Sequence, residues 1–292
     1  MKIACLQYAP EVGNLSGNIA KANAILEEAV ATGSTEGLEW LHLPELALTG
    51  YNFHSLAQIS PFLEPTASGT STKWAVEWAK HLRCHVTIGY PEKASDDGTR
   101  NYNSTVTVSP AGEVLLNYRK TFLYYTDETW AQEGDNRFFA GPLGTLGPVS
   151  MGICMDINPH KFLAPWNHYE FANHALQHSS PLIALNMAWL TRLTPDELLT
   201  QPPGPDQETL AYWLERFYPL IGASKDDAVC LIMANRSGIE GGVAYAGTST
   251  VIRIERGRTQ IYDILGKTDQ RLLVVDTAEA PKYAVTTGTA AG

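Results

Sequence analysis

Basic charge is scarce in this chain. Its 292 residues hold 21 lysines and arginines against 31 aspartates and glutamates, a net charge of −10. Binding to nucleic acid needs a basic face, so that partner class is excluded. The acidic excess serves solubility. Cysteine is scarce too: only Cys5, Cys84, Cys154 and Cys230 are present. None form a C-x-x-C pair, and three sit inside apolar, strand-like runs. That excludes a disulfide framework and suits the reduced thiols of a cytoplasmic protein, or one that is both cytoplasmic and nuclear. Long apolar runs are missing. None approaches the roughly 20 residues that cross a bilayer, so no membrane is expected. No basic-then-apolar leader precedes the first strand, which starts at Lys2. H-E-x-x-H is absent. His174 and His178, four apart on a helical stretch, lack a third ligand, so no metal and no cofactor is expected. There is no fixed-period repeat and no low-complexity linker.

What is present is a 44% apolar chain, enough for a sizeable core. Strand-like and helix-like segments alternate. Ile3–Gln7 reads as a strand, and apolar residues recur at helical spacing from Asn18 to Ala31. Leu38–Leu43 is a strand ended by Pro44-Glu45. A helix near Lys73–Leu82 precedes a strand over Cys84–Tyr90. Tyr102–Ser109 alternates like a half-buried strand and pairs with Val114–Tyr118 across the turn Pro110–Glu113. Arg119-Lys120 stands at the exit of that hairpin, and Thr121–Gly141 reads as a long loop. Later come a helix over Glu170–His178, a strand over Leu182–Met187, an irregular Thr191–Asp206 and a helix over Thr209–Ala223. Strands follow over Ala228–Ala234, Ala246–Val251, Arg253–Arg256, Thr259–Leu265 and Arg271–Asp276. The expectation is one α/β domain over residues 1–276, with a mixed sheet or two sheets flanked by helices, and a loosely held tail over 277–292.

Val149–Pro159 carries the chemistry. It reads as a buried strand that stops at Cys154, before the turn-forming Asp156, Asn158 and Pro159. Glu45 and Lys120 also sit at strand exits, and strand exits on one edge of an α/β sheet converge in space. A thiol titrates near pH 8.5 when free, about one and a half units above neutrality, so it needs a base or a cation beside it. A glutamate can take the thiol proton and pass it to a leaving amine. A lysine and a backbone N–H, here that of Met155, can hold an oxyanion. Those parts make an acyl-transfer hydrolase working through a thioester. His160, close to Cys154 in sequence, leaves a Cys–His dyad as the competing arrangement.

Leu43-Pro44-Glu45 with Gly50-Tyr51, Tyr118-Arg119-Lys120, and Gly152-Ile153-Cys154-Met155-Asp156 resemble, in order, the Glu, Lys and Cys motifs of the nitrilase, or carbon–nitrogen hydrolase, superfamily. Ile3–Gln7 and Ala246-Gly247-Thr248-Ser249 resemble further landmarks, so the likeness spans roughly residues 1–276. It implies a four-layer αββα sandwich of two mixed sheets flanked by helices, with no cofactor. It also implies a second glutamate after the lysine, for which Glu128 is preferred over Glu133. The finer likeness is to the fungal-type N-terminal amidases. It rests on Gly50–Phe53, on Cys154–Phe162 with Asn158 where the superfamily often has arginine, on Met187–Leu190 and on Asn235–Glu240. It implies a peptide or protein N-terminus as substrate, with deamidation of N-terminal Asn and Gln to Asp and Glu. The free α-ammonium group then needs an acceptor. Asp127, Asp156 and Glu240 are candidates, with Asn186 and Tyr124, while Trp130, Trp166, Trp189 and Tyr245 can wall the pocket. A small-amide hydrolase of the same superfamily (an ω-amidase, for instance) and a catalytically dead binding module are the rival readings. A monomer or a homodimer is expected.

Overall fold

The computed structural model describes residues 1–94, 99–135, 137–223 and 226–285. The first half runs through β1 (Lys2–Gln7), α1 (Leu15–Ala31), β2 (Trp40–His42), α2 (Leu56–Ile59), β3 (Glu64–Pro65), α3 (Thr70–Leu82), β4 (His85–Lys93), β5 (Asn101–Val108) and β6 (Val114–Arg119). The second half continues through β7 (Phe139–Pro142), β8 (Pro148–Ile153), α4 (Glu170–Gln177), β9 (Leu182–Met187), α5 (Pro195–Thr200), α6 (Gln207–Arg216), α7 (Tyr218–Gly222) and β10 (Val229–Asn235). A small hairpin of β11 (Ile239–Glu240) and β12 (Val243–Ala244) precedes β13 (Thr250–Glu255), β14 (Arg258–Ile264), β15 (Arg271–Asp276) and β16 (Tyr283–Val285).

Two seven-stranded sheets result. One has the order β15-β1-β2-β4-β5-β6, with β3 beside β4, and the other has β16-β14-β13-β10-β9-β8-β7. Both are mixed: β1, β2 and β4 run parallel, with β3 parallel to β4, as do β8, β9 and β10, while the other strands pair antiparallel. Side chains alternate between the two faces of each strand. Ile3 and Cys5 of β1 and Trp40 of β2 therefore meet Met151, Ile153, Ala184 and Ile232 of the opposite sheet in a core between the sheets. Ala4, Leu6 and Leu41 point the other way, onto Ala22 and Leu26 of α1 and Trp74 and Ala75 of α3. On the far side, Ile183, Leu185 and Leu231 pack under Phe171 of α4 and Trp213 of α6. The layers are helix, sheet, sheet, helix, the αββα sandwich that the resemblance implied. Central strands buried on both faces read as continuous apolar runs, which is why they were plain in the sequence.

Five expectations need correction. All eight residues of β5 are buried, so it is not half-buried. Its polar face, Asn103, Thr105 and Thr107, is turned inward: Thr107 bonds Thr87, whose hydroxyl takes the indole N–H of Trp40 in the core between the sheets. Thr209–Ala223 is two helices, because Pro219 begins a new one after a break at Phe217. Thr191–Asp206 contains α5, started by a capping box between Thr194 and Glu197. The tail is not wholly loose, since Tyr283–Val285 adds to the second sheet alongside β14. Residues 246–249 precede β13 instead of belonging to it. The Ala290-Ala291-Gly292 end lies outside the described residues.

The two sheets are cross-linked where β2 and β9 end. The Asn186 amide donates to the Leu43 carbonyl at 2.6 Å, and the Glu45 N–H donates to the Met187 carbonyl at 3.3 Å. The loop after β2 is thereby fixed against the end of β9.

Candidate active site

Strand β8 stops at Ile153, and Cys154 opens a 3-10 turn over Cys154–Ile157 with φ at +39°. A non-glycine residue in that region is strained, and such strain gathers at functional sites. Asp156 holds the turn in place. Its carboxylate accepts from the Ile153 N–H at 2.8 Å and the Tyr118 hydroxyl at 2.7 Å. It also accepts from the N–H groups of Thr121 at 3.1 Å and Phe122 at 2.8 Å. Asp156 thus ties the cysteine turn to the exit of β6, where Lys120 stands. Fully buried and saturated, it has nothing left for a ligand, which corrects its expected part in substrate binding. Burial pushes its pKa up to about 6, against the pull of those donors. Gly152 allows the strand to lie close under α4: a Cβ there would meet Phe171 and Leu185 at 2.8 and 2.9 Å.

Lys120 is fully buried, and its ammonium bonds Glu45 Oε1 at 2.5 Å and Asp127 Oδ2 at 2.6 Å. The second acid beside the lysine is therefore Asp127, not Glu128 or Glu133. The segment Asp127–Thr129 is a 3-10 turn, in which successive side chains diverge by about 120°. Asp127 turns in to the lysine while Glu128 turns out to solvent, and Glu133 bonds the exposed ring of His160 at 2.8 Å. That contact also draws His160 away from a Cys–His dyad. Asn103 completes the group, donating to Glu45 Oε1 at 2.7 Å and to Asp127 Oδ1 at 3.0 Å. Nothing in the alternating pattern of β5 marked it. The other oxygen of Glu45, Oε2, accepts, among the described residues, only the Ala188 N–H, at 2.9 Å.

These contacts set the charges. Burial, reinforced by the Asp127 charge, pushes Glu45 up to about 7 although Lys120 pulls it down. Burial works against the Lys120 ammonium, but Asp127, Glu45 and Cys154 outweigh it and raise the lysine pKa, so the lysine stays charged. The Cys154 thiol is pushed well up by burial first and by Glu45 next, with Lys120 and the Ala188 backbone opposing. The resting cysteine is a thiol, and its activation needs a base to take the proton.

Gly89 of β4 holds Glu45 in place from below. A Cβ on it would meet Glu45 Cα at 2.7 Å, Leu46 N at 2.7 Å and Pro44 O at 2.8 Å. All three are backbone atoms, which cannot swing aside. Gly89→Ala is expected to displace the Glu45 loop, lowering kcat about tenfold or more and stability by about 1–3 kcal/mol. Steady-state kinetics and denaturant unfolding check it, and wild-type values for both would show the loop to be free of Gly89.

Cys154 and Met155 lie in the wall of a cavity of about 220 Å³. Tyr51, Tyr124, Asn158, Trp189 and Tyr212 complete most of that wall. Of the expected substrate contacts, Met155, Trp189 and Tyr124 face the cavity, whereas Asp127, Asp156, Asn186 and Trp130 do not. Asn186 is engaged with Leu43, and Trp130 packs behind Tyr51 in a cluster with Phe53 and Tyr245. Glu240 is also spent, binding Arg236, the Tyr245 hydroxyl and the N–H groups of Tyr51 and Asn52. Trp166 meets Tyr212 edge to face, outside the cavity lining. The exposed pair Arg192–Glu208, 3.7 Å apart, also borders the cavity. Among the described residues no cluster of three or more His, Cys, Asp and Glu could hold a metal ion.

A four-layer sandwich that gathers a glutamate, a lysine and a cysteine at its strand exits defines a class: hydrolases of carbon–nitrogen bonds. Residues 2–165 match the carbon–nitrogen hydrolase family, and the chain belongs to that family. A protein N-terminal amidase of Schizosaccharomyces pombe is 37% identical over 94% of this chain and 98% of its own length. One from Saccharomyces cerevisiae is 35% identical over 65% of this chain, which spans 45% of that longer protein. A solved N-terminal amidase in complex with an Asn-Glu-Ala peptide superposes with a TM-score of 0.84 at 22% identity, covering 94% of this chain and 96% of that one. At that identity the likeness speaks for the fold.

Proposed function

We propose that this chain is a protein N-terminal amidase, hydrolysing the side-chain carboxamide of an N-terminal Asn or Gln to Asp or Glu with release of ammonia. The observation that carries the reading is a cysteine, backed by a buried glutamate–lysine pair, in the wall of a cavity that leads out past exposed residues. A carboxamide can reach the thiol there while the rest of the peptide trails into solvent. The names of the two fungal relatives narrow the substrate from amides in general to N-terminal ones.

Cys154 Sγ attacks the carboxamide carbon. Glu45 takes the thiol proton, through Oε2, because Lys120 and Asn103 already occupy Oε1. The Lys120 ammonium and the Met155 N–H hold the oxyanion. The tetrahedral intermediate collapses, the C–N bond breaks and the Glu45 proton leaves with ammonia. A thioester remains. Water, losing its proton to Glu45, attacks the thioester and returns the thiol. Asp127 keeps the lysine charged and in place.

The test is ammonia release from four short peptides beginning with Asn, Gln, acetyl-Asn, or carrying Asn internally. Only the first two are expected to react. Turnover of a free dicarboxylic acid monoamide with none from the Asn peptide would establish the small-amide reading instead. A protein that forms no adduct at Cys154 with a reactive amide is a binding module. We also place the protein in the cytoplasm, or in cytoplasm and nucleus, where its four free thiols would stay reduced.

The pH profile follows from Glu45. The carboxyl must be ionised to accept the thiol proton, and its pKa is pushed up to about 7 by burial and Asp127. Activity is therefore present above that value and lost as pH falls through it, tenfold per unit in kcat/KM. An unperturbed glutamate would place the limb near pH ~4.3. A kcat/KM that stays level down to pH 5 would remove Glu45 from the role of base.

A further inference from the structure

We propose that Asn103 is a positioning residue for the whole catalytic group, holding the base, the lysine and the lysine's second carboxylate in one frame. The inference deepens the proposed amidase reading and rests on Glu45 as the base.

Asn103 is fully buried near the start of β5, between Glu45 from the loop after β2 and Lys120 and Asp127 from the segment after β6. Its backbone carbonyl accepts the Lys120 N–H at 2.8 Å, which fixes the lysine's main chain as β6 ends. Its amide nitrogen has two hydrogens, and each is used on a different acid: Glu45 Oε1 at 2.7 Å and Asp127 Oδ1 at 3.0 Å. Lys120 Nζ bonds the same two acids, at 2.5 and 2.6 Å. Asn103 and Lys120 thus clamp Glu45 and Asp127 from two sides in a closed ring. The orientation of the amide is forced, since the reverse would set its oxygen against two carboxylates.

The remaining atom makes the case. Asn103 Oδ1 is buried without a hydrogen-bond partner among the described residues. An orphaned buried acceptor destabilises a fold. A residue serving only the strand would be better as Val or Thr, which pack on a pleated surface with less polar surface to bury. The amide is placed here for its two donors. Their effect on the chemistry is directional. With Oε1 of Glu45 held by Asn103 and Lys120, the carboxylate plane is fixed, and Oε2 is the oxygen available to the thiol proton. The titratable groups facing Glu45 are Lys120 from the exit of β6, Asp127 from the following loop, Cys154 from the exit of β8, Tyr51 from the loop after β2 and Tyr245 just after β12. The Asn103 donor is one of the contacts that hold the Glu45 carboxyl down against burial.

Three variants test this, Asn103→Ala, Asn103→Ser and the isosteric Asn103→Asp, each with two readouts. On an Asn-initiated peptide, Asn103→Ala is expected to lower kcat about a hundredfold while KM stays within about threefold, because binding in the cavity does not use Asn103. Its acid limb should move to higher pH. Asn103→Ser, which keeps one donor, should fall between Ala and wild type, and Asn103→Asp should be no better than Ala at pH 8. The second readout is the pH dependence of Cys154 alkylation by iodoacetamide, mapped by mass, which needs no substrate. Its acid limb should rise in the same order. Failure of the wild type to deamidate Asn peptides would remove the amidase reading, while the alkylation profiles would still decide on Asn103. Asn103→Asp turning over within threefold of wild type, or unmoved acid limbs in Asn103→Ala, overturns the proposal. So does loss of the folded state in all three variants, which would make Asn103 a purely structural residue.

Discussion

Cys154→Ala is expected to lower ammonia release about 10⁴-fold or more while leaving the fold intact, as removal of a covalent nucleophile does elsewhere. No other thiol can substitute. Cys5 and Cys84 are wholly buried strand and turn residues, Cys230 lies within β10, and burial pushes Cys84 and Cys230 up to about 12. The resting Cys154 is itself a thiol, so what distinguishes it is not an intrinsically low pKa. It is the conjunction of a cavity wall, a base oxygen free to take the proton, and a charged lysine. The backbone at Cys154 offers a second measurement. Its φ of +39° is strained for any residue with a Cβ. Cys154→Gly should therefore be more stable than Cys154→Ala by about 1 kcal/mol, and equally inactive. Strain that is relieved in an inactive variant is strain kept for the chemistry. Turnover by Cys154→Ala within tenfold of wild type would end the thioester mechanism. Equal stability of the Gly and Ala variants would show that the turn at Cys154 carries no strain.

The strand exits that carry Glu45 and Cys154 were legible because each ends a buried apolar run with turn-forming or charged residues, and that of Lys120 because it closes a hairpin whose turn is plain. Strand identity depends on local pattern, and the parallel connections then bring the exits together. The resemblance supplied the four layers. What escaped is what depends on rotation or on distant packing. Asp127 and Glu128 are adjacent acids in a loop, and a single 3-10 turn decides which faces the lysine. Asn103 sits in an alternating strand whose polar face looks solvent-directed. It is turned inward because that face points to the opposite sheet, where Thr107, Thr87 and Trp40 form a hydrogen-bonded seam. Tyr212 and Glu208 reach the cavity from α6, some 55 residues beyond the cysteine turn, on the polar side of a helix whose apolar side alone was informative. Glu240 and Asp156 stood as candidate acceptors for the substrate, and although the turn after the strand suited Asp156 as a cap, nothing in the sequence reveals that each acid is taken up by several backbone N–H groups.

Lys120→Met is expected to be inactive and markedly less stable, and the two losses should separate. The substitution keeps much of the volume and removes only the charge. In the native protein one buried ammonium balances two buried carboxylates, Glu45 and Asp127, bridged on their other side by the neutral Asn103 amide. Without it the two acids face each other in a low dielectric, and breaking such a buried pair costs about 3–5 kcal/mol. Both burial and mutual repulsion favour their protonated forms. An acid whose folded pKa is raised binds a proton on folding, so its stability is full below the unfolded value and is lost as pH rises from there through the folded pKa. The variant should therefore lose more stability at pH 8 than at pH 5.5, measured by denaturant unfolding against wild type. Lys120→Met/Asp127→Asn should regain much of that stability, since one acid is neutralised and the other can keep a hydrogen bond. It should regain no activity, because the oxyanion still lacks its ammonium, a contribution worth about 10²–10³ in kcat for a single donor. A double variant that recovers turnover together with stability would mean that Lys120 only offsets buried charge. A Lys120→Met protein as stable as wild type at pH 8 would mean that the carboxylates are not held ionised in the native site.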